Sequence, residues 1–141
     1  MQNKCQKDGF TLIEIFVVII ILGIIAMFAF PALFAQIERH RGQEALQTLN
    51  LIKSNVESCG IQNAYSFTNC YSWDGISMSD PSNSAGNAGS NFNYTIADIA
   101  AAGNGYIITA TRTTSTDTIT ISRSSSGVST CAGTGAFQGF C

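Results

Sequence analysis

Glu14 is the residue whose chemistry most needs a partner, because it is a carboxylate within an apolar stretch. Leu12 and Ile13 precede it, and residues 15–37 follow it, a run of 23 residues with no charged side chain. About 20 apolar residues suffice for a helix to cross the hydrocarbon core of a bilayer. A carboxylate in such a helix costs roughly 2.5–3.5 kcal/mol and usually has a partner. The sequence therefore predicts a membrane-spanning helix whose acid needs a cation.

A cation for Glu14 would arise if a protease cut the chain between Gly9 and Phe10. The new α-amino group on Phe10 would lie one helical turn from Glu14, and its pKa of about 8 would keep it largely protonated at neutral pH. The two groups could pair within one chain. In a stack of identical helices, Glu14 of one subunit could equally neutralise the amine of its neighbour.

The run Gly9-Phe10-Thr11-Leu12-Ile13-Glu14, followed by an apolar helix, resembles the amino terminus of type IV pilins and type II secretion pseudopilins. The resemblance covers residues 4–60 and is loose beyond them, and Asp8 departs from it because a basic residue is usual there. It implies an α+β pilin fold, with a long amino-terminal helix packed on a small three- to four-stranded antiparallel sheet. It also implies cleavage between Gly9 and Phe10 by prepilin peptidase, N-methylation of Phe10 and assembly through Glu14.

The same resemblance implies a structural subunit of a homo-oligomeric, helical type IV pilus filament, built by a pilus assembly platform. Such a filament serves adhesion, twitching motility or DNA uptake. Lys4 and Lys7 favour an amino terminus in the cytoplasm, so the subunit is expected in the inner membrane before assembly and on the cell surface afterwards. A pseudopilin of a type II secretion system is the alternative, and an adhesin that does not polymerise is a third class.

The expected division is a leader of residues 1–9, a transmembrane and polymerisation helix of residues 10–37, and a globular head of residues 38–141. An ordinary secretory signal peptide cut after Ala35 is the alternative for the amino-terminal segment. Glu14 interrupts the apolar region, which is long for a signal peptide, and an amphipathic pattern continues past Ala35. These features favour an uncut helix.

One helix is predicted from residue 10 to about residue 58. Its first half is apolar on all sides, and its second half carries an apolar stripe that should face a sheet. The stripe comprises Ala45, Leu46, Leu49, Ile52 and Val56. Gly23 and Pro31 interrupt the helix, since proline lacks a backbone N–H and its ring crowds the preceding turn. A static kink is one interpretation, and unwinding of residues 23–31 in the filament, implied by the pilin resemblance, is the other.

Cys5 precedes the expected cut, which leaves four cysteines in a small head rich in Gly and Ser, outside the membrane. An even number in that setting favours disulfides, and of three connectivities the sequence-local Cys59–Cys70 and Cys131–Cys141 are preferred. Each would close a short loop and contribute ~2–3 kcal/mol. A zinc site is the alternative, although the chain has no CxxC pair and no histidine near these residues.

Three antiparallel strands are predicted at residues 92–96, 106–112 and 118–123, from β-branched residues and alternation of apolar with polar side chains. Their inner face is expected to comprise Ile96, Ile107, Ile119 and Ile121. Residues 59–91 would form a connection whose early part packs, and residues 124–141 a glycine-rich tail.

Composition argues against several functions. The net charge is −2, and −3 without the leader, so no basic surface for nucleic acid is predicted and its binding stays uncertain. The one histidine, His40, lies on the membrane-proximal helix, and the serines stand in low-complexity runs without a partner base, so no catalytic residues and no enzyme activity are expected. No cofactor or metal is expected either. The four downstream acids lack calcium-loop spacing. Because the major pseudopilins that the amino terminus resembles commonly hold calcium near the carboxyl terminus, this favours a pilus subunit over a pseudopilin.

Overall fold

The computed structural model describes residues 10–87, 89–99 and 103–141, so the leader and Gly9 lie outside the described residues. Contacts divide the chain into two compact units between Ile37 and Glu38. We call the second unit, Glu38–Cys141, the head. The helix α1 spans Leu12–Gln62, beginning two residues after the predicted start and ending about four residues beyond the predicted end.

The amino-terminal unit contains the first part of α1. The backbone N–H groups of Glu14 and Ile15 both donate to the carbonyl of Thr11, at 3.1 and 3.4 Å, so Glu14 lies in the first helical turn. The backbone is helical at both Gly23 and Pro31. Kinking and unwinding of residues 23–31 both stay predictions.

The head contains a four-stranded antiparallel sheet in the order β1-β2-β3-β4, where β1 is Phe92–Ala97, β2 Tyr106–Arg112, β3 Thr118–Arg123 and β4 Ser129–Gly133. Each strand pairs with its neighbour in sequence. Two short 3₁₀ turns accompany the sheet, at Asn83–Ala85 and Gly135–Phe137. The predicted α+β class, with a long helix and an antiparallel sheet, is confirmed.

The core of the head forms between α1 and one face of the sheet. Ala45, Leu49, Ile52 and Val56 are fully buried, as the apolar stripe predicts, and Leu46 is partly buried against them. Burial of each larger side chain contributes roughly 1.5–3 kcal/mol. The other buried members are Cys59, Phe67, Cys70, Ile76, Phe92, Tyr94, Tyr106, Ile108, Ala110, Ile119, Ile121 and Phe137.

The predicted inner face of β2 is wrong by one residue. Ile108 is fully buried, whereas Ile107 lies on the other face, where it is paired with Ala97 of β1 and Ser122 of β3. Two consecutive isoleucines satisfy either phase of the alternation, and the pairing of β2 with both neighbours decides between them. Ile119 and Ile121 are buried as predicted, and Ile96 is partly buried.

The segment that was predicted to be a glycine-rich tail contributes β4. Cys131 of β4 pairs with Ile121 of β3, and Gly133 pairs with Ile119. The strand was missed because its sequence, Ser-Thr-Cys-Ala-Gly, has neither apolar alternation nor a run of β-branched residues. Its position in the sheet comes instead from pairing with β3.

Ser82 closes part of the free edge of β1. Its buried hydroxyl accepts a hydrogen bond of 2.8 Å from the backbone N–H of Tyr94 and donates one of 3.3 Å to the Tyr94 carbonyl. The backbone N–H of Ser82 donates to Oδ1 of Asp80 at 2.9 Å. The segment that carries Asp80 therefore lies along this edge and blocks the addition of another strand there.

Candidate assembly site

Phe10 lies two residues before the beginning of α1, and Glu14 lies in its first turn. The side chain of Phe10 is 81% exposed, and Glu14 is also exposed. No residue that the structure describes forms a salt bridge with Glu14. The Glu14 carboxylate is therefore available to a partner outside this chain. The amine on Phe10 would arise only by cleavage after Gly9, which lies outside the described residues.

The helix beyond Glu14 is long and apolar enough to cross a membrane. Its segment Leu12–Phe30 has a mean hydropathy of 3.0, and its large apolar side chains are at least 47% exposed. Surfaces of this kind are stable in lipid or against similar helices but not in water. The segment can thus anchor the chain in a bilayer and can also pack against copies of itself.

Residues 5–30 match the model of the prokaryotic N-terminal methylation motif. The chain carries the class III signal of type IV pilins and pseudopilins. This prepilin signal implies processing by prepilin peptidase and assembly into pilus-type filaments. With the apolar helix, it fits anchoring in a membrane before assembly. No solved structure matches the chain.

Both disulfides of the described residues join cysteines that are close in sequence. Cys59 bonds Cys70 and Cys131 bonds Cys141, with sequence separations of 11 and 10 residues. The first bridge is buried and joins the end of α1 to the following connection, whereas Cys131 and Cys141 are exposed. The described part of the chain contains no cluster of three potential metal ligands.

The sequence did not reveal two ionic contacts that tie α1 to the sheet of the head. Arg112 of β2 donates to Oε1 of Glu38 at 2.8 Å, and Arg41 lies 3.4 Å from the same oxygen. Further along the helix, Arg123 of β3 lies 3.4 Å from Oε1 of Glu57. In the sequence, each of these charged residues stands next to the apolar stripe of α1 or in a predicted strand. That position does not identify the residue with which it pairs.

Aromatic rings surround the second of these contacts. Tyr106 donates from its hydroxyl to Oε1 of Glu57 at 2.7 Å, and burial together with this carboxylate raises the pKa of Tyr106. Phe67 packs edge-on against Tyr106 with 5.3 Å between ring centroids, and the Arg123 guanidinium lies 5.1 Å from the Phe67 centroid. The carboxyl-terminal end of α1 is thus fixed to β2, β3 and the connection.

The connection packs as expected only in part. Phe67 and Ile76 are buried, and Tyr71 and Trp73 are partly buried against the core, but Ile61 and Tyr65 are each 62% exposed. The hydroxyl of Tyr71 donates to the Gly105 carbonyl at 2.8 Å. Burial, followed by the charge of Asp98, raises the pKa of Tyr71 to about 12.

Proposed function

We propose that this protein is a structural subunit of a type IV pilus filament, cleaved between Gly9 and Phe10, N-methylated on Phe10 and assembled through Glu14. The observation that carries the proposal is the match of residues 5–30 to the methylation motif, which includes the exposed apolar helical segment Leu12–Phe30. Each subunit would leave the inner membrane as its helix packs among identical helices, and the heads would form the surface of the fibre.

The physical argument for Glu14 is one of matching charges in a dry environment. A carboxylate among packed apolar helices is strongly unfavourable unless it meets a cation. The amine of a neighbouring Phe10 meets that need in every subunit except the last one added. Pairing between subunits would therefore favour growth of an ordered filament over random clustering of helices.

A pseudopilin of a type II secretion system is the second candidate, because the same amino-terminal signal occurs in both classes. The two assemblies differ in length and position. Adhesion, twitching motility and DNA uptake are the uses we propose for the longer, extracellular fibre.

Mass spectrometry of the amino-terminal peptide tests the processing step. We expect a chain that begins at Phe10 and carries one added methyl group. A chain that begins at Gln36 would show an ordinary signal peptide and would end the proposal, since the polymerisation helix would be lost.

Electron microscopy with antibodies against the head tests the assembly. Long labelled fibres outside the cell would support the pilus subunit. Short periplasmic assemblies would support the pseudopilin, and a labelled envelope without fibres would contradict both.

A further inference from the structure

We propose that the two opposite edges of the sheet form one repeated contact between heads, in which an acidic loop of one copy lies in a groove of the next. The acidic loop is residues 74–82, at the β1 edge. The β4 groove lies between α1 and β4 and is lined by Leu46, Asn50, Lys53, Ile121, Ser129, Thr130 and Cys131. The inference rests on the proposed function, because it concerns assembled subunits.

The β4 groove is open and carries one charge. Its volume is about 250 Å³, and Lys53 is its one charged lining residue. No described residue forms a salt bridge with Lys53. The cation is therefore available to a carboxylate from outside the head, and the partly buried Leu46 beside it offers an apolar contact.

The backbone of β4 adds hydrogen-bonding groups to the groove. The N–H of Thr134 donates to the Thr118 carbonyl, and the N–H of Ser124 donates to the Val128 carbonyl, both at 2.9 Å. Because antiparallel strands alternate, the polar backbone groups of Ser129 and Cys131 between these positions are directed away from β3. The groove can thus hold a loop by its backbone as well as by its charge.

The acidic loop lies on the other side of the head. Asp80 is tied to the β1 edge through Ser82, and the beginning of the loop packs on α1, where Asn55 donates from Nδ2 to the Met78 sulfur at 3.6 Å. Asn55 and Lys53 lie on opposite flanks of the helical face that forms the core, since residues two apart differ by about 200° around a helix. The loop and the groove therefore face opposite directions.

Charge is divided between these two sides. Residues 58–111 contain Asp74, Asp80 and Asp98 and no Lys or Arg. Asp74 is exposed, and neither Asp74 nor Asp80 forms a salt bridge within the described residues. The cations Arg41, Arg112 and Arg123 are engaged by Glu38 and Glu57. Neither Arg39 nor Lys53 forms a salt bridge with a described residue, and of these two only Lys53 lines the β4 groove.

A contact between two different surfaces of identical subunits repeats without closing when the rotation between copies does not complete a ring. The β1 edge and the β4 edge of one sheet are two such different surfaces. The same contact would then link successive heads around a filament and would fix their spacing, while complementary charge would select the correct register.

Charge reversal in the full chain, expressed with its assembly machinery, tests the proposal by the yield of sheared fibres. We expect Lys53→Glu and Asp74→Lys each to lower the yield about tenfold, because like charges across an interface are strongly unfavourable. The double variant Lys53→Glu/Asp74→Lys should recover part of the yield. Recovery is incomplete because Asp80 would still face a negative charge.

Matched controls separate this contact from general effects of charge. Lys53→Gln and Thr95→Glu each lower the net charge by one, and Thr95 is exposed on the outer face of β1. Only Lys53→Gln should weaken the fibres, and added salt should weaken wild-type fibres in the same way. Peptide mapping of both disulfides confirms that each variant folds.

The possible outcomes are distinct. Wild-type cells without fibres would overturn the proposed function and this contact together. Wild-type fibres, with Lys53→Glu giving the same yield as Thr95→Glu, would overturn the contact alone. Loss of fibres in both reversed variants without any recovery in the double variant would also contradict the pairing.

Discussion

Arg112 on β2 donates a hydrogen bond of 2.8 Å to Glu38 on α1, although the two residues are 74 positions apart in the chain. The guanidinium is 15% exposed and the carboxylate 32% exposed. The other carboxylate oxygen of Glu38 is buried and accepts no hydrogen bond from the described residues. Loss of Arg112 would therefore leave the partly buried Glu38 carboxylate with only the longer contact to Arg41.

We expect Arg112→Gln to destabilise the head by about 1–2 kcal/mol, since hydrogen bonds to charged groups are stronger than neutral ones and partial exposure weakens the effect. Denaturant unfolding of the full chain in detergent, followed by near-ultraviolet circular dichroism, measures the change. Arg41→Gln is the control. It should cost less, because Arg41 is more exposed and lies 3.4 Å from Glu38. Equal losses would contradict the importance of the Arg112 contact.

Gly60 is predicted to be intolerant of a side chain. A Cβ at this position would overlap the ring of Phe67, which is fully buried and packs on Tyr106. We expect Gly60→Ala to lower the free energy of unfolding by about 1–3 kcal/mol through overpacking, despite the helix preference of alanine. Ser54→Ala, on the exposed face of α1, is the matched control and should be neutral or slightly stabilising. A stabilised Gly60→Ala variant would show that Phe67 moves freely.

The two disulfides should differ in their response to a mild thiol reductant. Cys131 and Cys141 are exposed, whereas Cys59 and Cys70 are buried, so the second bridge should be reduced first. Alkylation followed by peptide mapping reports the order. Cys141→Ser should leave α1 and the sheet folded but lower fibre assembly or adhesion by releasing the tail. Unchanged fibre yield would separate the tail from assembly.

Glu14→Ala should block or slow polymerisation while leaving membrane insertion and the fold of the head intact. An unpaired amine among packed helices would cost about 3–5 kcal/mol where the pair is well desolvated. Fibre yield and membrane fractionation measure the two effects separately. Glu14→Gln should be milder only if hydrogen bonding rather than charge holds the subunits. A normal fibre yield from Glu14→Ala would refute the pairing.

The stability of the head should fall at alkaline pH. The pKa of Tyr71 is raised from 10.0 to about 12 by burial and by Asp98, so the fold favours the neutral phenol. Below pH 10 both the folded and the unfolded chain keep this proton, and the stabilisation is complete. As the pH rises from 10 towards 12, the unfolded chain ionises first and the folded state loses this advantage. Unfolding midpoints across this range should fall less steeply in Tyr71→Phe, and an identical slope would contradict the assignment.

The sequence predicted the helix and its buried face well, because a pattern at spacings of three and four leaves only one face for the core. Leu49, Ile52 and Val56 are all fully buried. The pattern was less informative in the sheet. Tyr106, Ile107 and Ile108 are consecutive and all suit a strand, so local preference could not decide which of them faces inward.

Contacts between distant segments could not be predicted from one sequence. Glu38 and Arg112 each looked like a surface charge, and Ser82 looked like one of many loop serines until its hydroxyl was found on the backbone of Tyr94. Local pairs were predictable. The disulfides join cysteines 11 and 10 residues apart, and short loops bring such pairs together before the rest of the head has formed.

The order of the strands in the sheet is also their order in the chain. Each strand after β1 therefore finds a hydrogen-bonding partner in the strand immediately before it in the chain, and each disulfide forms within a single short stretch. Folding by local contacts is fast compared with folding that waits for distant strands. As the strands form in chain order, the sheet can grow by one hairpin at a time, with little unpaired strand exposed to neighbouring chains at any stage.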